Sequence, residues 1–146
     1  MCARVAEIMT DDVVAVEQTT TLEAVARQML GRDIGSVVIT ADSTPYGIIT
    51  ESDIVSAAYQ SGRPLADIPT KRVASHPLVT IEPNRSIRLA IKRMQDERIK
   101  KLVVVDGLEI QGIITMQDLI DHYDYLSEKL QTVRDQRQRD PSWPRR

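Results

Sequence analysis

The chain has 146 residues, of which 42% are hydrophobic, and its 19 basic side chains nearly balance its 21 acidic ones. This length suits one compact domain, or two half-domains that share a core, and leaves little room for a separate catalytic domain. A near-neutral charge argues against sequence-independent binding of nucleic acid, which needs a clustered excess of Lys and Arg. The longest apolar runs fall far short of the roughly 20 residues of a membrane-spanning helix. We therefore expect neither a membrane nor a nucleic acid as a partner.

The amino-terminal residues and the cysteine content bear on the cellular compartment. Met1 and Arg4 lead directly into sequence of mixed polarity, without the apolar stretch of a signal peptide. Cys2 is the single cysteine, so an internal disulfide cannot form, although an intermolecular one stays open. These features are typical of a reducing compartment, and we expect a cytoplasmic protein.

In the first half of the chain, the pattern predicts a short strand at residues 13–16 and a helix after it. Thr20 with Glu23 three residues on predicts a capping box at the start of that helix. β-Branched runs at 36–40 and 46–50 predict two strands around a turn, and a second helix follows from about Glu51 to Tyr59. The apolar residues at helical spacing in the first helix are Leu22, Val25, Ala26, Met29 and Leu30.

The second half of the chain repeats this order. Residues 47–54 return 65 positions later as residues 112–119, and the alignment needs no gap from Val13 to Val55. The second copy predicts an extended segment at 78–81, strands at 102–105 and 110–115, and a helix from Met116. Its first helix carries an apolar stripe of Ile87, Ala90, Ile91 and Met94. The chain is therefore an internal duplication of a β-α-β-β-α unit, which is an α+β fold.

Residues 60–64 break the helix between the copies, and prolines in residues 65–77 predict an extended crossing linker. Because one such unit cannot cover its own sheet, we expect the two units to pack sheet against helix about a pseudo-two-fold axis. We predict repeat 1 at residues 4–60, a linker at 61–77, repeat 2 at 78–123, and an extension at 124–146.

The last helix is predicted to continue beyond the repeat. Its apolar positions are Ile120, Tyr123, Leu126, Leu130 and Val133. This stripe is expected either to fold back on its own domain or to meet a partner subunit. Residues 135–146 are rich in Arg and predicted to be disordered, either as a solvated tail or as a contact for an anionic partner.

The pattern Gly-Ile-Ile-Thr-x-x-Asp occurs in both copies, with Thr50 and Asp53 in the first and Thr115 and Asp118 in the second. Its Thr falls at a strand-to-helix turn and its Asp in the first helical turn. Helix N-termini bind anions, the Thr hydroxyl adds a donor, and the Asp can accept from sugar hydroxyls. The alternative is an ordinary capping box that serves only the helix. Two occurrences in register favour a nucleotide site over a cap alone.

The repeat length, the element order, the leading segment at 5–10 and both motifs resemble a tandem CBS-domain pair, also called a Bateman module. The resemblance covers residues 4–123, and the chain is similar to the stand-alone members of the family, which consist of little beyond the pair. It implies regulatory binding of adenosine-containing ligands (AMP, ADP, ATP, S-adenosylmethionine or NAD) in two clefts between the repeats, without catalysis or a permanent cofactor. It also implies a flat homodimer, an energy-sensing role, and an unidentified regulated protein as partner.

The resemblance further implies ligand contacts at particular positions. Asp53 and Asp118 would bind the ribose hydroxyls, Thr50 and Thr115 the ribose or phosphate, and the segments around Val14 and Val79 the adenine. The motif isoleucines, which are Ile48, Ile49, Ile113 and Ile114, complete the set. One cleft would combine Asp53 with Val79, Lys100 and Lys101, and the other would combine Asp118 with Val14, Gly35 and Ser36.

Lys100 and Lys101 precede the central strand of the second copy, where the first copy has Gly35 and Ser36. Only one cleft therefore gains cations that can neutralise a phosphate, and we expect the Asp53 cleft to bind phosphorylated adenosine more tightly. The alternative is that these lysines are solvated charges that protect a strand edge from aggregation.

No enzyme motif is found in the sequence. It lacks a phosphate-binding Walker loop, a nucleophile elbow and a zinc-binding His-Glu-x-x-His pattern, and we expect no metal site and no catalysis. The rival hypothesis is a protein-interaction scaffold with empty clefts that acts through the C-terminal helix or the Arg-rich tail.

Overall fold

A computed structural model describes residues 3–139 of the chain, so Cys2 and residues 140–146 of the predicted tail lie outside the described residues. The elements follow the predicted order, with one additional helix at the start. They are α1 (Val5–Ile8), β1 (Ala15–Glu17), α2 (Leu22–Arg32), β2 (Ser36–Ala41), β3 (Thr44–Thr50), α3 (Glu51–Ser61), β4 (Thr80–Ile81), α4 (Ile87–Glu97), β5 (Lys101–Asp106), β6 (Glu109–Thr115) and α5 (Met116–Arg139).

Each repeat has a three-stranded mixed sheet. The strand order is β1-β2-β3 in one and β4-β5-β6 in the other, with a parallel first pair and an antiparallel second pair. Ala15 pairs with Val38 in the first sheet, and Thr80 pairs with Val103 in the second. Both members of the second pair lie 65 residues after those of the first. The duplication in sequence is therefore a duplication of strand register, which confirms the two-repeat prediction.

Helix α2 begins one residue later than the predicted capping box. Thr21 is its N-cap, and the Thr21 hydroxyl accepts from the Ala24 amide at 3.3 Å. The carbonyl of Thr20 instead accepts from the amide of Thr70 in the linker at 3.1 Å. The buried stripe of α2 is also narrower than predicted, because Leu30 is 85% exposed.

Each repeat has one apolar core between its helices and its sheet, and a third apolar cluster lies where the two sheets meet. That third cluster joins Val38 of β2 to Val103 of β5 and Ile113 of β6, all nearly or fully buried. The expectation that the repeats pack sheet against helix was wrong in this respect. Residues on one face of each sheet are covered by the helices of the same repeat, so the opposite faces are left to pack on each other.

Each repeat is completed by a segment that precedes the other. The amides of Val5 and Ala6 donate to carbonyls of Arg85 and Pro83, and Val5 is fully buried in the core of the second repeat. Correspondingly, Ile68 in the linker is buried in the core of the first repeat, where its carbonyl accepts from the Leu22 amide. The two repeats therefore share their cores by reciprocal exchange, and neither core is complete without the other segment.

The exchange includes a short antiparallel bridge on each side. Ser75 pairs with Ile48 at N···O distances of 3.0 and 3.2 Å, and Thr10 pairs with Ile113 at 2.9 Å in both directions. The glycines that precede these isoleucines allow the approach. A Cβ on Gly47 would lie 2.7 Å from the Ser75 carbonyl oxygen, and one on Gly112 would lie 2.6 Å from that of Thr10. The glycine of the repeated motif is therefore required by packing.

Two predictions about irregular segments are corrected. The linker is not simply extended, because Leu65–Asp67 and Thr70–Arg72 form single 3₁₀ turns. Carbonyls in and just before these turns accept from amides three or four residues on, and Ile68, between the two turns, is buried in the first core. The predicted disorder from residue 135 is wrong for its first part, since α5 continues to Arg139. Within residues 3–139, no helix is both long enough and apolar enough to span a membrane.

Replacing Gly47 with Ala should destabilise the fold by about 1–3 kcal/mol, because the added methyl group overlaps the Ser75 backbone. Gly31→Ala is the matched control, since a Cβ there has nothing within 4 Å. In a helix interior that change should stabilise by about 0.5–1 kcal/mol. Urea unfolding measures both free energies, and equal effects of the two substitutions would contradict the close approach.

The hairpin between β2 and β3 is held by a carboxylate from β1. Asp42 and Ser43 have positive φ angles of 51° and 67°. Their amides donate to Glu17 at 3.2 and 2.9 Å, and the Thr40 hydroxyl donates to it at 2.9 Å. The bond from the Ser43 amide, followed by that from Thr40, lowers the pKa of Glu17 below its usual value. The ionised carboxylate therefore fixes a turn that would otherwise be strained.

Glu17→Gln should lower the melting temperature at neutral pH. Because the folded-state pKa of Glu17 is depressed, its stabilising effect is present above the unfolded pKa and is lost as the pH falls through the folded one. The difference between wild type and variant should therefore narrow in acid. Thermal melts at a series of pH values test this, with Glu23→Gln at an exposed helix pair as control. A difference that stays constant down to acid pH would contradict this role.

Candidate functional site

A cleft with a cavity volume of about 740 Å³ lies between the repeats. Its walls come from three places, namely the β3–α3 turn of repeat 1, the end of the linker, and the segment that joins α4 to β5 in repeat 2. The lining residues are Gly35, Ile48, Thr50, Glu51, Ser52, Asp53, Ser75, Pro77, Leu78, Val79, Arg98, Ile99, Lys100, Lys101 and Val103.

The first wall is the N-terminus of α3, which carries the motif residues Thr50 and Asp53. The Asp53 Oδ2 atom accepts from the Thr50 amide at 2.8 Å and from the Thr50 hydroxyl at 3.0 Å. The Asp53 amide donates back to the Thr50 hydroxyl at 3.4 Å, which completes a capping box. The capping box, which is the alternative interpretation of the motif, is therefore formed in the structure. All these bonds to the carboxylate use Oδ2, so Oδ1 of Asp53 is not committed to the cap.

The second wall supplies positive charge. Arg98, Lys100 and Lys101 line the cleft around the C-terminus of α4 and the start of β5. Arg98 ends α4 in the left-handed conformation, with φ at 56°, and this turn brings the three cations to the same side. They face two carboxylates, Glu51 and Asp53, so the cleft carries an excess of positive charge near a helix N-terminus. That combination favours an anion.

The third wall is the end of the linker, which the Ser75–Ile48 bridge holds against β3. Pro77, Leu78 and Val79 follow the bridge and line the cleft with apolar surface. His76 does not share this role, because its ring stacks on Tyr46 with centroids 4.8 Å apart. The linker therefore provides an apolar wall opposite the polar motif.

The structure thus brings together the five residues predicted for the Asp53 cleft, which are Thr50, Asp53, Val79, Lys100 and Lys101. Ile48 also lines this cavity, as its place in the motif suggested. Their roles as ligand contacts stay predictions, whereas their common location is a feature of the fold.

The second motif forms the matching capping box at the start of α5. The Thr115 amide donates to Asp118 Oδ2 at 2.9 Å, and the Asp118 amide donates to the Thr115 hydroxyl at 3.0 Å. Val14 and Ser36, the other residues predicted for this cleft, lie 65 positions before Val79 and Lys101. Where the Asp53 cleft has Arg98, Lys100 and Lys101, the corresponding residues are Asp33, Gly35 and Ser36. The second side therefore lacks those cations.

The structure bears on three further predicted positions, and it corrects two of them, Ile49 and Ile114. Gly35, which the resemblance assigns to the Asp118 cleft, lines the Asp53 cavity. Its carbonyl accepts from the Glu51 amide at 3.3 Å, so it lies beside the helix N-terminus of its own repeat. Ile49 and Ile114 are fully buried in the two helix-facing cores. Alternation along a strand explains this, because neighbouring residues point to opposite faces and only one of each isoleucine pair can face the other repeat.

Two charged lining residues were not among the predicted ones. Arg98 lies two positions before Lys100, and Glu51 lies between the motif residues Thr50 and Asp53. The basic run from Arg98 to Lys101 was a signal for the first. Nothing in the sequence indicated that Glu51 faces inward, since the first turn of a helix exposes residues in several directions.

The fold and the cleft define a pair of β-α-β-β-α repeats with an inter-repeat site that combines acceptors from one repeat with cations from the other. The model of the CBS domain family matches residues 5–60 and again residues 66–125. The chain belongs to the CBS-domain family and contains a tandem pair of these domains.

Known proteins of similar sequence or structure are consistent with this assignment. An uncharacterized protein from Methanopyrus kandleri is 35% identical over 124 residues, which are 84% of this chain and 63% of that protein. The crystal structure of an uncharacterized conserved protein from Pyrococcus horikoshii is 30% identical, with a TM-score of 0.74, over 84% of this chain and 93% of its own. A CBS domain protein from Pyrobaculum aerophilum, complexed with AMP, is 26% identical with a TM-score of 0.72, over 80% and 90%.

The curated relatives are longer than the matched region. The chain spans 63% of the Methanopyrus protein and 31% and 24% of two further curated relatives. A CBS pair thus occurs in these proteins together with additional sequence.

Thr115→Val should lower the free energy of unfolding by about 1 kcal/mol, because it removes the hydroxyl that accepts from the Asp118 amide at the helix N-terminus. Thr132→Val is the control, since the Thr132 hydroxyl only donates to the Glu128 carbonyl in the same exposed helix. That change should stay within about 0.5 kcal/mol. Chemical denaturation measures both, and an unchanged stability of Thr115→Val would contradict the capping role.

Proposed function

We propose that this CBS pair is a non-catalytic regulatory module that binds an adenosine nucleotide of the AMP, ADP or ATP class in the Asp53 cleft. The observation that carries the proposal is the composition of that cleft. One cavity combines a helix N-terminus bearing Thr50 and Asp53 with three cations from the other repeat and an apolar wall from the linker.

The size and polarity of the cleft suit a nucleotide. Its volume of about 740 Å³ lies in the range of small-molecule sites, roughly 300–1,000 Å³. The apolar residues Pro77, Leu78 and Val79 offer a surface for a flat purine base, while Arg98, Lys100 and Lys101 offer charge-assisted hydrogen bonds to phosphate oxygens. A neutral apolar ligand would leave these three cations without a partner.

The ribose would be bound by the carboxylate of Asp53. Its Oδ2 atom is occupied by the capping box, which fixes the side-chain orientation before any ligand arrives. Its Oδ1 atom can then accept from a ribose hydroxyl without loss of the cap. The capping and binding interpretations of the motif are therefore compatible, because each uses a different oxygen.

The AMP complex of the Pyrobaculum protein supports the same ligand class for this chain, since the two share 26% identity over 80% of this sequence. Phosphorylated ligands are expected to prefer the Asp53 side. On the Asp118 side, the corresponding position to Arg98 is the carboxylate of Asp33, which would repel a phosphate.

Binding would act on a partner through the packing of the two repeats. A ligand that bridges acceptors of repeat 1 and cations of repeat 2 stabilises one relative arrangement by its differential affinity for that arrangement. We propose a cytoplasmic homodimer as the working form, in an energy-sensing role, with the regulated protein as a further partner. The exposed apolar residues of α3, Val55 at 68% and Tyr59 at 89% exposure, are candidates for the homodimer contact.

The second candidate function is a protein-interaction scaffold, and the exposed apolar face of α5 favours it. Both functions can reside in one molecule, because α5 starts at one repeat and extends beyond it. They differ in whether a nucleotide changes the stability of the protein.

Thermal-shift measurements with AMP, ADP, ATP, S-adenosylmethionine and NAD, with GMP as a control, test the proposal. A ligand that binds only the folded state raises the melting temperature, and a hundredfold excess over Kd contributes about 2.7 kcal/mol. We expect adenosine nucleotides to stabilise wild type. Asp53→Ala should abolish the shift.

Asp118→Ala is the matched control because it removes the same kind of cap from the other repeat. Both variants lose the cap, but only Asp53→Ala loses the proposed ribose acceptor, so each shift is compared with its own unliganded baseline. Lys101→Gln should lower the affinity for AMP at least tenfold and leave the affinity for adenosine unchanged, because adenosine has no phosphate. No stabilisation by any adenosine ligand, or equal loss in both Asp variants, would contradict the proposal.

A further inference from the structure

Helix α5 carries an apolar stripe that begins in the protein and ends in solvent. Leu119 is 8% exposed and lies in the core of repeat 2, with Met116 packed against the same core. Tyr123, Leu126 and Leu130 follow on the same face at spacings of four, three and four residues. Their side chains are 69%, 43% and 70% exposed. Spacings of three and four residues place all five side chains on one face of the helix. The exposed part is therefore a continuation of a buried interface.

The spacing is that of a helix-pairing seam. If Tyr123 and Leu130 are taken as positions a of a heptad, Leu126 is position d, and the buried Leu119 is the preceding d. A stripe of this kind is buried by a second helix that lies along it. We call Tyr123, Leu126 and Leu130 the α5 stripe.

The charges around the α5 stripe are segregated by sign. Lys129 and Arg134 occupy the two heptad positions that flank the stripe, g and e, and both are exposed. The acidic residues of this part of the helix lie on the opposite face; they are Asp121, Asp124, Glu128 and Asp135. Among residues 3–139, neither Lys129 nor Arg134 has a carboxylate within salt-bridge distance, and the Lys129 ammonium group lies 5.5 Å from the centre of the Tyr125 ring.

These flanking cations disfavour a second copy of α5 as the partner helix. In a parallel pair, position g of one helix faces position e of the other, which would set Lys129 against Arg134. In an antiparallel pair centred between Leu126 and Leu130, Lys129 would face Lys129 of the second copy. Both arrangements place like charges together and are destabilised by it.

We propose that the α5 stripe is the docking site for an amphipathic helix of another protein, one that has apolar a and d residues flanked by Glu or Asp. Such a helix covers the three apolar side chains and pairs its carboxylates with Lys129 and Arg134. The inference is independent of the cleft ligand. It identifies the chemistry of a protein partner and stands whether or not the Asp53 cleft binds a nucleotide.

The test uses the full chain without nucleotide and two labelled synthetic peptides of four heptads. Both peptides have Ile at a and Leu at d and the same outer positions, but one has Glu at every e and g position and the other has Lys. Fluorescence anisotropy measures the affinity of each peptide. We expect the Glu peptide to bind at least tenfold more tightly than the Lys peptide, with the difference shrinking as salt is raised.

Two sets of variants locate the contact. Leu126→Asp with Leu130→Asp should abolish binding, and Leu30→Asp is the control, because Leu30 is an even more exposed leucine on a different helix, α2. Lys129→Glu with Arg134→Glu should reverse the preference, so that the Lys peptide binds more tightly. All five substituted positions are exposed, and circular dichroism melts establish that each variant folds.

Several results would overturn the proposal. They are a failure of the Glu peptide to bind, equal affinity for both peptides, and an unchanged preference in the charge-reversed variant. Sedimentation velocity adds a fourth, namely a wild-type dimer that Leu126→Asp with Leu130→Asp dissociates, which would assign the stripe to a second copy. Since no nucleotide is present, these outcomes are distinct from a failure of the cleft proposal.

Discussion

The contact between a backbone segment of one repeat and a glycine of the other is the constraint on which the structure depends. The linker carbonyl oxygen of Ser75 lies 2.7 Å from the position of a Cβ on Gly47, and that of Thr10 lies 2.6 Å from the position of a Cβ on Gly112. These two contacts hold the exchanged segments that complete both apolar cores. Each segment lies just before one repeat in the chain and completes the core of the other repeat. Neither repeat can therefore form its core alone. The two β-α-β-β-α units consequently share their cores, and the cleft lies between them.

The same constraint explains how the cleft acquires residues from distant parts of the sequence. The bridge between Ser75 and Ile48 delivers Leu78 and Val79 to the motif of repeat 1, and the sheet contact brings the start of β5 alongside. Duplication supplied two equivalent positions, and substitution then made them different. Lys100 and Lys101 stand where repeat 1 has Gly35 and Ser36, so only one side carries these cations, although the two repeats share the same fold. In this way a symmetrical scaffold has an asymmetrical charge distribution, which is the basis of the proposed preference for phosphate.

Most of the fold could be predicted from the sequence because the two copies of the repeat align without a gap and show the same apolar pattern. Apolar periodicity located the strands and helices to within a few residues, and the motif located both capping boxes. The exchange of segments was not predicted, because it depends on contacts between residues far apart, such as Val5 with Arg85. The sheet-to-sheet packing was missed for the same reason. In the site, strand alternation separates Ile48 from Ile49, and a pattern that treats the motif as one unit cannot make that distinction.

If one ligand contacts both repeats in the Asp53 cleft, a titration with AMP must change the environment of amides in both repeats, and NMR chemical shifts measure this residue by residue. Amides at 50–53 in repeat 1 and at 98–101 in repeat 2 should shift together and yield a single dissociation constant. Amides of the Thr115–Asp118 motif should change less. Shifts confined to one of the two segments, or larger shifts around Asp118 than around Asp53, would contradict the account.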